Sequence, residues 1–127
     1  MHISDYQQWI DDYDAARDFD RVQPSQTLAH ALEELGEIAR EVLYLDGYRD
    51  ADDEDKRRAM LAEELADCMV FLFKLASQFG VEMEEALIAS KAKAEGRFSV
   101  AEGRALAARY LARQRQSRAR WLGETSG

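Results

Sequence analysis

Apolar residues recur at intervals of three and four along most of the 127-residue chain, the spacing of α-helices rather than strands. Leu28, Ala31, Leu32, Leu35, Ile38, Ala39 and Val42 fill one arc of a helical wheel, and His30, Glu34, Glu37 and Glu41 run along its border. Further on the pattern is denser. Leu61, Leu65, Met69, Val70, Leu72, Phe73, Leu75 and Ala76 cover most of the circumference and leave one stripe of Met60, Glu64, Asp67 and Phe71. A helix apolar on nearly all sides is expected at the centre of the fold, with the acids at the rim of its core.

The remaining segments continue the helical reading. Tyr6, Trp9, Ile10 and Tyr13 repeat at three and four within residues 3–19, which predicts an amphipathic helix capped by Ser4 whose aromatics pack on a bundle. Pro24 closes the loop 20–26, and Ser25 is positioned to cap the next helix, which runs to about Leu45 before Gly47. Residues 46–58 read as a solvated connection leading into a helix near Asp55, which ends at Phe79 with Gly80 as a natural stop. Another helix follows from Val81 through Met83, Ala86 and Leu87 toward Lys91. Leu106, Tyr110, Leu111, Trp121 and Leu122 indicate a last one. With one proline and seven glycines in the chain, the expected fold is all-α: a bundle of four or five helices whose two acid-bearing helices lie antiparallel at the centre. Residues 1–100 form the bundle, and 101–127 a basic helix packing on it or on a second subunit.

Charge narrows the partners. The net charge is −8 at pH 7 and the pI about 4.8, which argues against duplex DNA. The sign reverses in residues 101–127, where six arginines face only Glu102 and Glu124; such a helix most simply pairs with the acidic bundle or another subunit. No apolar run approaches the length of a membrane span and no charged-then-apolar leader opens the chain, so a cytoplasmic location is expected. The single cysteine, Cys68, suits a reducing compartment and reads as a small core residue.

The acids carry the chemistry. Glu34 with Glu37, and Glu64 with Asp67, are each three residues apart, so each pair projects from one helical face. An isolated ExxE usually marks a solvated face with salt bridges. Two such pairs on adjacent antiparallel helices converge four carboxylates within apolar surroundings, and a hard divalent cation relieves their repulsion. Magnesium takes oxygen ligands, keeps several waters and shares its coordination with phosphates; manganese can substitute. Iron redox chemistry is disfavoured because no glutamate of these pairs has a histidine three residues later. His30, four residues before Glu34, reads as a packing or surface residue. Neither a glycine-rich phosphate loop nor HExxH is present.

These residues carry a resemblance. EELGE at 33–37, EELAD at 63–67 and KAKAEGRF at 91–98 are similar to the MazG-like proteins of the all-α nucleoside triphosphate pyrophosphohydrolase superfamily, over about residues 3–98. The resemblance implies a helical bundle that binds Mg2+, or Mn2+ in its place, through Glu34, Glu37, Glu64 and Asp67. It implies hydrolysis of a nucleoside triphosphate to the monophosphate and pyrophosphate in nucleotide-pool house-cleaning, by a homodimer or homotetramer. Glu33 and Glu63, each one residue from a metal acid, are candidates to orient the attacking water. Phe19 is placed to stack on the base, and Tyr44 either lines the nucleotide pocket or belongs to the core. Lys74, Lys91 and Arg97 are candidate cations for the substrate. Similar proteins carry Lys, Asn four residues on, then Arg and an aromatic; here Lys91, Glu95, Arg97 and Phe98 stand there, and the Glu in place of Asn bears on substrate choice. The competing reading is a non-catalytic helical interaction protein whose acids are ion-pairing surface and whose basic tail docks a partner.

Overall fold

The structure, a computed structural model, describes residues 1–124 and contains five α-helices and no strand among them. They are α1 (Ile3–Ala15), α2 (Pro24–Leu45), α3 (Glu54–Gln78), α4 (Met83–Arg97) and α5 (Val100–Trp121), with a 3₁₀ turn at Phe19–Arg21. The bundle is all-helical, as the periodicity predicts. No helix is long and apolar enough to cross a membrane.

Helix boundaries follow local chemistry. Helix α1 starts one residue after His2, whose backbone N–H donates to Asp5 Oδ2 at 2.8 Å, and Ser4 lies inside its first turn. It stops at Ala15, four residues short of the expected end, and Asp18 turns the chain with φ 59°. Pro24 occupies the first turn of α2, where its missing N–H costs nothing, and Gln23 rather than Ser25 precedes the helix. The Lys56 N–H donates to Asp53 at the start of α3, and the Glu102 N–H donates to Ser99 at the start of α5. Gly80 adopts φ 68° in the turn after α3, a conformation that favours glycine.

The chain forms two compact units, Met1–Ala86 and the part from Leu87 onward, and the division falls within α4. In the first unit α2 and α3 pack along their lengths and α1 lies against α3. Ile10 and Phe73 are at the centre of that contact, and the Phe73 ring meets Tyr6 edge-on at 5.5 Å. Gln7 ties the layers together: its Nε2 donates to Ser77 Oγ at 3.0 Å and Val81 O at 2.8 Å, and its Oε1 accepts from the Met83 N–H. The expected aromatic packing of α1 is only partly realised, because Trp9 and Tyr13 face outward.

The larger departure concerns α2. The buried side of α2 is mixed in character: Thr27, Ala31 and Glu41 are buried, while Leu28, Leu32, Leu35 and Val42 are exposed. On α3, Leu65, Met69 and Leu72 are exposed too. Three apolar residues, Ile10, Ala31 and Phe73, are fully buried among the described residues, so each counts heavily. Phe73→Ala is expected to destabilise the protein by about 3–5 kcal/mol, the usual cost of deleting a buried phenylalanine. Urea unfolding followed by circular dichroism checks this, and a midpoint unchanged from wild type would show that the α1–α3 contact is not part of the core.

Candidate metal centre and adjoining cavity

The register between α2 and α3 sets the site. Arg57 Nη1 reaches both carboxylate oxygens of Glu41 at 3.3 Å, Cys68 Sγ lies 3.8 Å from Ala31 O, and the His30 ring stacks on Phe71 at 5.3 Å. Residue numbers fall along α2 as they rise along α3, so the helices are antiparallel. Glu34 therefore comes opposite Glu64 and Asp67. One carboxylate oxygen from each of the three lies within 4.8 Å of the others.

Glu37 is turned differently. Its carboxylate pairs with Arg40 on the next turn, and Arg40 also approaches the buried Glu41 at 3.7 Å. The charge of Glu37 nonetheless acts on Glu64. Glu33 is exposed and within 3.6 Å of His30 Nδ1, and Glu63 is exposed.

Charge crowding is greatest at Glu64. Its carboxyl is held above the ordinary glutamate value, first by a hydrogen bond with Glu34, then by burial, then by the negative charges of Glu34, Glu37 and Asp67. No basic side chain pairs with Glu34, Glu64 or Asp67 among the described residues. Three converging carboxylates without a counter-charge fit a hard, oxygen-seeking divalent cation, which supplies the missing charge and takes one oxygen from each.

Two turns from Glu34 on α2, and two from Asp67 on α3, lies a cavity of about 320 Å³. Asp11 and Asp14 of α1, Phe19 and Asp20 of the 3₁₀ turn, Thr27 of α2, and Lys74 and Gln78 of α3 line it. Lys74 Nζ sits 3.0 Å from Asp14 Oδ1 and within 6 Å of the Phe19 and Phe71 rings. Phe19 and Lys74, far apart in sequence, thus share one wall.

Tyr44 lies elsewhere, near the opposite end of α2. The Arg57 guanidinium covers its ring at 3.7 Å while binding Glu41, whose side chain is 1% exposed. This arrangement revises the view of residues 46–58 as wholly solvated: Arg57 opens the helix inward as the counter-ion of a buried acid. Lys91 and Arg97 belong to the unit that starts at Leu87. Lys91 is paired with Glu95 at 2.6 Å, and Arg97, its guanidinium over Phe98, lines a separate hollow with Lys93.

Asp14, Thr27 and Gln78 had no distinguishing mark in the sequence. Thr27 lies seven residues before Glu34 and Gln78 eleven after Asp67, so extending both acidic stripes along their helices would have reached them.

The uncharacterized protein YvdC of Bacillus subtilis (strain 168) is 28% identical over 103 residues, covering 77% of this chain and 97% of its own. Residues 22–100, which hold α2, α3, both acid pairs and α4, match the MazG nucleotide pyrophosphohydrolase domain, and the chain belongs to that family.

Proposed function

We propose that this protein hydrolyses a nucleoside or deoxynucleoside triphosphate to the monophosphate and pyrophosphate, with Mg2+, or Mn2+ in its place, at Glu34, Glu37, Glu64 and Asp67. The observation that carries this reading is the uncompensated triad of Glu34, Glu64 and Asp67 across antiparallel helices of a MazG domain. When bound, the cation neutralises phosphate charge and favours departure of pyrophosphate. Glu37 joins the ligands by leaving Arg40, since it lies one turn from Glu34 on the same helical face. Glu63, without an ion-pair partner among the described residues, orients the attacking water, and Glu33 is the alternative from α2. The water oxygen bonds to the α-phosphorus, the bond from that phosphorus to the bridging oxygen breaks, and a carboxylate takes the proton. Phe19 and Lys74 hold the nucleoside end. Tyr44, its ring under the Arg57 guanidinium at 3.7 Å, is either a second aromatic of the nucleotide pocket or part of the packing around Glu41.

The working form is a homodimer or homotetramer. Leu28, Leu32, Leu35, Ala39 and Val42 alternate steps of four and three, a seam suited to another helix, and their exposure in one chain leaves that seam unfilled. A symmetric copy presents the same stripe and covers it. Removal of unwanted nucleotides from the cytoplasmic pool is the role this activity serves.

The direct test is pyrophosphate and phosphate release from a panel of nucleoside triphosphates with Mg2+ or Mn2+, with Glu37→Ala in parallel. Pyrophosphate release that falls at least tenfold in the variant is expected, since the cation then has one carboxylate fewer. Phosphate as the product would make the protein a different phosphohydrolase. Silence across the panel in a folded, metal-supplied sample would leave the helical interaction protein as the better account.

A further inference from the structure

Carboxylates are frequent in the cavity beyond the metal centre, beside the hydroxyls of Thr27 and Ser77. Asp11, Asp14 and Asp20 bring three carboxylates, and the one cation in the lining, Lys74, is committed to Asp14. Gln78 donates its Nε2 hydrogen to Val22 O at 2.7 Å, and its Oε1 stays buried without a donor. Asp14 Oδ1 is satisfied by the Lys74 ammonium at 3.0 Å. A buried acceptor such as Gln78 Oε1 is rarely left without a donor in native proteins, so this point of the lining calls for a donor from a ligand. Phe19, half exposed at the same wall, offers a flat apolar face.

Distance from the carboxylate triad fixes which part of a nucleotide comes here. Seven residues separate Thr27 from Glu34, and seven separate Asp67 from Lys74, which places the cavity about 10 Å along both helices from the carboxylate triad. The His30–Phe71 stack lies between the two. Phosphates are drawn to the cation at one end and repelled by the three aspartates at the other. A planar, donor-bearing group remains for the cavity.

We propose that the cavity bounded by Asp11, Asp14, Phe19, Asp20 and Gln78 selects nucleobases that carry an exocyclic amino group over those with a carbonyl at the same position. This rests on the nucleotide reading of the metal centre. A base amine donates into the acceptor-rich lining, whereas a carbonyl there places a second acceptor against carboxylates and leaves both unpaired.

Two matched pairs isolate the group: deoxycytidine against deoxyuridine monophosphate, and deoxyadenosine against deoxyinosine monophosphate. Binding of each to the full chain with Mg2+, by titration calorimetry, is expected to favour the amino member about tenfold or more, the usual worth of a hydrogen bond to a charged acceptor. In Asp11→Asn/Asp20→Asn the amides offer donors as well as acceptors, and the preference is expected to fall to threefold or less. Equal binding within both pairs, a reversed order, a preference untouched in the double variant, or no binding by any of the four overturns the proposal. Pyrophosphate release scored separately distinguishes the two readings. Release without amino preference defeats only the base assignment, while amino preference without release defeats hydrolysis and leaves the cavity a nucleotide site.

Discussion

Glu64→Gln is expected to reduce pyrophosphate release by about 100-fold or more and to remove the rise in melting temperature that Mg2+ or Mn2+ gives the wild type. Glutamine keeps the shape of the side chain and a hydrogen bond to Glu34, but not the charge that holds the cation. The variant also isolates a pH effect. The Glu64 carboxyl in the folded protein is raised above its ordinary 4.5, so between the ordinary and the raised value the folded state binds more proton than the unfolded state. Stability from this group is present below 4.5 and lost as pH rises through the raised value. Metal-free wild type should therefore lose melting temperature over that window relative to Glu64→Gln, and the two should differ least at the acid end. Adding Mg2+ above the window should restore the wild type alone. A metal-induced shift that survives intact in Glu64→Gln would place the cation outside the α2–α3 triad.

The second large effect is on assembly. Leu32→Glu combined with Leu35→Glu puts two charges into the exposed seam of α2, where Leu32 is 60% and Leu35 52% exposed in one chain. Neither residue is in the buried interior of the single chain, so a free monomer would tolerate the change, within about 0.5 kcal/mol per site for surface substitutions. An oligomer would not, because each interface would bury several unpaired charges. Sedimentation velocity is expected to show wild type at two or four times the chain mass and the variant at lower mass, with a lower melting temperature. Wild type sedimenting as a monomer would refute the proposed assembly; an oligomer that the variant leaves intact would move the interface off this seam. Because only Ile10, Ala31 and Phe73 are fully buried apolar residues among those described, much of the expected stability would come from that second surface.

What the sequence determined by itself is the helical class, the approximate span of each helix and the acid pairs. Those follow from short-range rules: apolar spacing of three and four, proline and glycine as boundaries, and carboxylates one turn apart. The face of α2 that turns inward was not legible, because the sequence marks which positions are apolar but not whether the same chain covers them. Tertiary structure turned the stripe of Thr27, Ala31, Glu34 and Glu41 toward α3 and left Leu28, Leu32, Leu35 and Val42 outside. It also grouped Lys74 with Phe19 and Asp14, and Arg57 with Glu41 and Tyr44, contacts spanning 13 to 60 residues of chain. Such contacts depend on the antiparallel register and on how α1 lies against α3, and no local spacing encodes either. Glu37 gives the same lesson at close range: its spacing aligns it with Glu34, but its carboxylate pairs with Arg40 on its own helix.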